Sequence, residues 1–337
     1  MSWKDRFVDF EPRPDVEYPL ALGVLPSQRT PGKALALGVG GAMMGLLIFW
    51  IIRGYIALAV IWLFWVGYGS PGTLSSFSTG ETANELALMS ANLVSLAFLI
   101  PLTMAMVLFL HRFDPRWLSS VQPAFRWRYA TVTGGAALVV LGGVWAVSRI
   151  GQPLVWAPES QLWGYLLVIV LLAPLQAAGE EYFFRGYLIQ ALHSAAPSFN
   201  AAPVADGLAG RFALGYQRWF GVVASAFIFA LMHGGQNLPL FLHRFAFGLI
   251  AGWLVVKTGG LEAGIAAHVV NNVVAFGYAA ISGTMAETRA VTQASWPELL
   301  WNLAGFAGFA AVAVLVAKRM KLATRTPRAS LVGKPAL

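Results

Sequence analysis

Two adjacent carboxylates follow a long, largely apolar segment of the chain. Glu180 and Glu181 come directly after residues 162–179, and Arg185 lies four residues after Glu181. Each such charge costs roughly 2.5–3.5 kcal/mol at the centre of a membrane-spanning helix. Ionisable groups at this depth are functional by default, although a charge cluster that only holds helices together is the alternative. We therefore expect the chemistry of this protein near Glu180.

Helical geometry gives these three residues different predicted roles. Residues four apart share one face of an α-helix, so Glu181 and Arg185 are predicted to form an ion pair. Glu180 is rotated from Glu181 by about 100°. We expect Glu180 to face elsewhere and to remain free for proton transfer.

Two further spans carry polar groups at helical spacing. One ends in Phe229 and His233, and another places His268 and Asn272 four residues apart on one face. Each is weak evidence alone, because His and Asn also form interhelical hydrogen bonds. Asn271 is predicted to point elsewhere and is interpreted as structural.

Other polar residues in the spans are ambiguous. Arg244, next to His243, could meet a carboxylate or line a water-filled entrance, but a structural ion pair or a snorkelling side chain is equally compatible with its position. Arg53 is interpreted as a snorkelling residue or as a break in the first span. His111 and His193 lie at predicted inner interfaces and are assigned no role.

Composition sets the fold class. Of 337 residues, 58% are hydrophobic and 11% are charged, whereas soluble domains carry about 25% charged residues. Apolar stretches long enough to span a bilayer recur along the chain. These features predict an all-α polytopic transmembrane bundle. The absence of cysteine excludes disulfides, thiol nucleophiles and Cys-ligated metals.

Eight spans are predicted, with both termini on one side. Their bounds are Ala34–Val66, Leu86–Leu110, Tyr129–Val147, Leu162–Leu192, Trp219–His233, Leu240–Val256, Ala263–Ile281 and Trp296–Ala317. With the termini inside, the inner segments hold eighteen Lys and Arg residues and the outer segments hold two. The positive-inside rule then predicts cytoplasmic termini. The net charge of +8 follows this topology, so we expect a lipid bilayer and no nucleic acid as partner. We expect the inner (plasma) membrane of a bacterium.

The three polar clusters together resemble a known family. The order Glu-Glu-x-x-x-Arg, Phe-x-x-x-His and His-x-x-x-Asn, each on its own span, is similar to the CPBP family of intramembrane proteases, also called the Abi or type II CAAX prenyl protease family. The matching residues are Glu180, Glu181, Arg185, Phe229, His233, His268 and Asn272. The resemblance implies hydrolysis of a peptide bond in a membrane-associated peptide or protein, with access from the cytoplasm.

The resemblance also divides the chain. The divisions are a cytoplasmic tail (1–33), three family-variable spans (34–161), the catalytic core (162–281), the last span (282–317) and a basic cytoplasmic tail (318–337). We interpret both tails as mobile. Residues 194–212, rich in Ala, Pro, Gly and Ser, are interpreted as a flexible inner connector.

A hydrolytic mechanism is consistent with these residues. Glu180 would act as the general base toward a water molecule and would return the proton to the leaving amine. His233 and His268 could orient that water. Asn272, with one of the histidines, could donate to the developing oxyanion, a contribution of roughly 3–4 kcal/mol. The supporting residues are Glu181, Arg185 and Phe229.

Zinc and two other functions remain open alternatives. Glu180, His233 and His268 could in principle ligate zinc, but a His-Glu-x-x-His helix is absent, so we favour a mechanism without a metal or other cofactor. The chain could instead be a non-catalytic membrane binding or bacteriocin-immunity-type protein. It could also be a proton-coupled transporter, although no paired halves are visible in the sequence.

Overall fold

The fold is a bundle of helices. A computed structural model describes residues 15–18, 36–67, 73–79, 85–195 and 208–327, and these residues contain no β-strand. The helices are α1 (Ala36–Gly67), α2 (Leu74–Thr79), α3 (Glu85–Leu110), α4 (Trp127–Ser148), α5 (Leu162–His193), α6 (Leu208–Leu231), α7 (Leu238–Thr258), α8 (Glu262–Ser282), α9 (Met285–Arg289) and α10 (Trp296–Arg319).

The predicted all-α bundle of about eight spans is confirmed. Within the described part of the chain, seven helices are long and apolar enough to cross a membrane. The remaining predicted span corresponds to α6, whose apolar part is shorter, Trp219–Leu231. Because α6 begins at Leu208, the end of the predicted connector 194–212 is helical instead of irregular, whereas 196–207 lies outside the described residues.

Large apolar side chains cover the outside of the bundle. Trp50, Tyr55, Val139 and Trp163 are among the most exposed. Lipid tails are as apolar as these side chains, so their exposure is compatible with a bilayer. The protein is accordingly an integral membrane protein.

One end of the bundle, here called the terminal face, gathers the segments next to both termini. The Val121 N–H donates to the Gly259 carbonyl at 2.8 Å, which joins connections 111–126 and 259–261. Thr326 donates to the Val16 carbonyl at 2.9 Å, and Tyr18 is fully buried. The prediction that both tails are mobile is therefore wrong for residues 15–18 and 320–326, which pair with each other and pack on the bundle. The remaining residues of the tails 1–33 and 318–337 lie mostly outside the described residues.

A buried ion pair strengthens the terminal face. Glu262, at the start of α8, is fully buried and accepts from Arg126 at 2.6 Å and 2.8 Å. Arg126 also donates to the Thr258 carbonyl at 2.9 Å. The sequence analysis missed this carboxylate because it lies at a span boundary, where a charged side chain ordinarily reaches water.

The opposite end of the bundle, here called the loop face, gathers connections 149–161, 232–237 and 283–295. Glu159 N–H donates to the Ala280 carbonyl at 2.9 Å, and Asn237 N–H donates to the Thr292 carbonyl at 2.9 Å. The connections that the structure describes in full thus fall into the two groups that the predicted topology requires. Which group faces the cytoplasm stays a prediction.

Two local features position the Glu180 region of α5. Residues Glu181–Leu188 are π-helical, a conformation that often marks functional segments. Gly179 permits close packing on α3, because a Cβ there would lie 2.4 Å from the Leu96 carbonyl oxygen. Glu180 is thereby held at the helix interface rather than at the lipid surface, and it is only 6% exposed.

The interpretation of Arg53 as a break in the first span is wrong. α1 continues through Arg53 without a break. The Arg53 guanidinium donates to Asn92 Oδ1 of α3 at 3.2 Å. This hydrogen bond holds the exposed Arg53 side chain against α3.

Candidate functional site

A cavity of about 600 Å³ lies between α1, α3, α5, α7 and α8 and extends to the connections of the loop face. We call it the main cavity. Its polar and charged lining residues are Arg53, Asn92, Gln176, Glu180, His233, His243, Arg244, His268, Asn271, Asn272, Thr288 and Arg289. The structure therefore places Glu180, His233, His268 and Asn272 on one cavity although they come from three parts of the bundle.

The predicted ion pair between Glu181 and Arg185 forms inside the protein. Arg185 Nη1 lies 3.1 Å from Glu181 Oε1, and the two side chains are 1% and 0% exposed. The guanidinium also lies over the rings of Phe229 and Phe247, 4.1 Å and 5.1 Å from their centroids. Cation–π contacts of this kind contribute about 2 kcal/mol or more when they are desolvated. The pair forms although the segment is π-helical and the prediction assumed α-helical geometry.

His268 connects the two carboxylates. Its Nδ1 donates to Glu181 Oε1 at 2.9 Å, and its Nε2 lies 3.5 Å from Glu180 Oε2. Glu180 lines the main cavity whereas Glu181 faces Arg185, but Glu180 is less isolated than predicted, because the His268 imidazole of another helix lies beside it. The physical reason is that an imidazole carries nitrogens on two edges, so one ring from another helix reaches both adjacent positions.

His233 is oriented by its own helix. Its Nδ1 donates to the Phe229 carbonyl at 2.8 Å, which leaves Nε2 as the nitrogen available to the cavity. The Phe229 ring contacts the His233 ring edge-on, with centroids 4.7 Å apart, and Phe229 is 3% exposed. Phe229 thus packs between His233 and the Arg185 guanidinium.

Asn272 is held by a residue that the sequence analysis missed. Its Nδ2 donates to Gln176 Oε1 at 2.7 Å, and Gln176 is 4% exposed. The spacing of four residues between Gln176 and Glu180 was the available signal. Asn271, predicted to point elsewhere, instead lines the cavity and donates to Asn272 Oδ1 at 3.2 Å. The main cavity borders both amides, and a single helix does not reveal how wide an arc of its surface a cavity borders.

Arg244 lines the cavity nearer the loop face. Its Nη1 donates to Gln236 Oε1 at 2.7 Å and its Nη2 donates to the Val291 carbonyl at 3.4 Å. Within the described part of the chain no carboxylate lies within 4.0 Å of Arg244, so the structural ion pair considered for it is absent there. His243 stacks on Phe306, with ring centroids 6.0 Å apart.

The donor set for zinc is incomplete in this arrangement. Among the described residues, no group of three or more His, Asp or Glu side chains is placed to hold a metal ion. Glu180 and His268 approach each other at 3.5 Å, but His233 does not join them in such a group. The three predicted ligands thus line one cavity without the geometry of a zinc site.

The bundle, with Glu, His and Asn side chains gathered on a cavity between its apolar helices, defines a polytopic membrane protein with a polar internal site. Residues 159–274 match the family model described as type II CAAX prenyl endopeptidase Rce1-like. This segment contains all seven motif residues, so the resemblance to the CPBP family is confirmed for it. A search of curated proteins and a search of solved structures found no match.

Proposed function

We propose that the protein is an intramembrane endopeptidase in which Glu180 activates water to hydrolyse a peptide bond of a membrane-associated substrate. The observation that carries this proposal is the position of Glu180 Oε2, 3.5 Å from His268 Nε2, on the wall of a cavity. A general base must lie within hydrogen-bond reach of the proton that it removes, directly or through one water. A water molecule in the cavity beside Glu180 meets that condition.

In the proposed reaction, Glu180 removes one proton and later returns it, so the reaction consumes only the substrate and one water molecule. Glu180 takes a proton from water while the water oxygen bonds to the carbonyl carbon of the substrate. The carbon–nitrogen bond then breaks, and Glu180 returns the proton to the leaving amine. The products are a carboxylic acid and an amine.

The hydrogen bonds of His233 and Asn272 support a different proposed role for each. Because His233 Nδ1 donates to a backbone carbonyl, its Nε2 in the neutral ring can accept from the water and orient it. Asn272 Nδ2 uses one N–H on Gln176 and has a second one to donate to the oxyanion. Glu181 positions His268 and fixes which of its nitrogens faces Glu180.

The test compares membranes that contain the native protein with membranes that contain Glu180→Gln. Loss of the carboxylate removes the base but keeps the side-chain volume, so uncut precursors should accumulate while the protein remains folded. The matched control is Glu287→Gln, which removes an exposed carboxylate on α9. Identical cleavage products in native and Glu180→Gln membranes would contradict the proposed base and leave the binding-protein and transporter alternatives.

The absence of a metal from the mechanism is tested separately. We expect cleavage by the purified protein to survive chelation. Loss of activity on chelation, with recovery on adding zinc, would instead assign Glu180, His233 and His268 as ligands after a rearrangement.

A further inference from the structure

The main cavity extends from Glu180 toward the loop face. Its lining includes Gly234 from the connection between α6 and α7, and Thr288 and Val291 from the segment between α8 and α10. None of its lining residues comes from the described connections of the terminal face, 111–126 and 259–261. The open route from Glu180 therefore leads to the face opposite the termini.

The side of Glu180 toward the terminal face is filled by protein. Every residue from Glu181 to His193 is buried. Phe183 and Tyr187 are fully buried, and Arg185 is 1% exposed. A substrate arriving from the terminal face would have to displace this packed segment.

The distribution of basic residues indicates on which side of the membrane the loop face lies. The segments predicted to be inner hold eighteen Lys and Arg residues, and those predicted to be outer, which include the connections of the loop face, hold two. A bias of this kind places the loop face outside the cytoplasm. The resemblance implied cytoplasmic access, so the two expectations conflict for this chain.

A second cavity, of about 550 Å³, continues the route toward the loop face. It shares six lining residues with the main cavity, which are Leu240, His243, Asn271, Ala275, Val291 and Phe306. Trp145 and Trp301 line its wall, and Arg149 and Glu298 lie among its polar residues. The two cavities adjoin along these shared residues and together line a continuous path from Glu180 to the loop face.

The charge in the main cavity is positive apart from the proposed base. Among the described residues that line it, Glu180 is the one carboxylate, beside Arg53, Arg244 and Arg289. Arg289 is neutralised by an ion pair with Glu85. Arg53 and Arg244 bind only neutral oxygens, those of Asn92, Gln236 and the Val291 backbone. Each guanidinium has five N–H donors, so both keep capacity for an anionic partner.

We propose that the cavity takes its substrate from the extracytoplasmic face, and that Arg244, together with Arg53 of the same lining, binds a carboxylate of that peptide near the bond to be cut. A guanidinium can bind a carboxylate through two parallel hydrogen bonds, which adds orientation to charge attraction. The identity of the anion as substrate rests on the proposed function. The direction of access and the preference for anions do not rest on it.

The absence of cysteine makes the direction of access measurable with single-cysteine variants. Ala275→Cys places a thiol on the wall shared by the two cavities, and Ala286→Cys places one on the exposed surface of α9. Thr324→Cys provides the reference on the terminal face. In right-side-out vesicles, a membrane-impermeant methanethiosulfonate reagent should modify Ala275→Cys and Ala286→Cys but not Thr324→Cys. Inverted vesicles should give the reverse pattern, and modification of Ala275→Cys only in inverted vesicles would overturn the proposal.

The preference for anions is measured with reagents of opposite charge on the same thiol. At Ala275→Cys, the anionic ethylsulfonate reagent should react at least about tenfold faster than the cationic trimethylammonium reagent, relative to their ratio at Ala286→Cys, because a charged cleft concentrates counter-ions about 10–1,000-fold. Arg244→Gln should remove most of this preference, whereas Arg244→Lys, which keeps the charge, should retain it. Arg53→Gln provides a second variant if Arg244→Gln does not fold. An unchanged ratio in both Gln variants would refute the assignment.

Whether the bound anion is a peptide or a lipid headgroup is tested by asking which of them protects the Ala275→Cys thiol from modification. The peptide N-acetyl-Ala-Ala-Ala with a free carboxylate should slow modification of Ala275→Cys, and its C-terminal amide should not. The assay uses nanodiscs of phosphatidylcholine with and without phosphatidylglycerol. Protection by phosphatidylglycerol but not by the free peptide would assign the guanidinium groups to a lipid headgroup and overturn the peptide proposal. Because no arm requires turnover, a Glu180→Gln variant that still cleaves would refute the proposed function and leave the access result standing.

Discussion

Replacing Glu181 by Gln tests the central electrostatic argument about the site. Glu181 Oε1 contacts both Arg185 Nη1 at 3.1 Å and His268 Nδ1 at 2.9 Å, whereas its Oε2 has no hydrogen-bond partner among the described residues. An amide in place of the carboxylate can keep an acceptor at Oε1 and put its NH₂ group at Oε2. The substitution therefore removes the negative charge while it preserves shape and the hydrogen bond to the imidazole.

The expected loss of stability is large because Arg185 is 1% exposed and cannot reach water. Removing one partner of a buried pair costs about 3–5 kcal/mol. The rings of Phe229 and Phe247 still face the guanidinium after the substitution. We therefore expect the lower end of that range, about 3 kcal/mol, for Glu181→Gln.

The assay is unfolding in mixed micelles followed by tryptophan fluorescence, with a double-mutant cycle. Arg185→Gln alone should also be strongly destabilising, and the double variant should lose less than the sum of the two, with a coupling energy of about 0.5–3 kcal/mol. Glu287→Gln, at an exposed position, is the control and should change stability by less than about 0.5 kcal/mol. A Glu181→Gln variant as stable as this control, or strict additivity in the cycle, would refute the reasoning.

Two further predictions concern the packing around the site. Gly179→Ala should destabilise the protein by about 1–3 kcal/mol, because its Cβ would lie 2.4 Å from a backbone oxygen of α3. The control is Gly134→Ala, whose Cβ would have nothing within 4 Å. This control should leave the midpoint of unfolding in the same assay unchanged or raise it. Glu262→Gln should leave Arg126 without its buried partner and lower the free energy of unfolding by about 3–5 kcal/mol. Proteolysis of the 111–126 connection should therefore accelerate. A native cleavage rate would show that this ion pair does not hold the terminal face.

The sequence by itself determined the bundle and the identity of the motif residues. Spans can be found from local composition because every backbone polar group must be satisfied within a helix inside the bilayer. The pairing of Glu181 with Arg185 was equally local, since it depends on one helical turn. The order of the three motifs was sufficient to indicate the family whose model matches residues 159–274.

Tertiary structure alone decided how the site is connected. His268 reaches both carboxylates, and Gln176 holds Asn272, because α5 and α8 pack at one particular rotation and depth. The periodicity of a single helix gives the face that a residue shares with its neighbours, but not the helix that covers this face. The direction in which the cavity opens has the same origin, since it depends on which connections leave space and on the complete burial of Glu181–Leu188 on the other side. Contacts between helices far apart in sequence are set by side-chain packing over the whole bundle, and no local pattern in the chain encodes them.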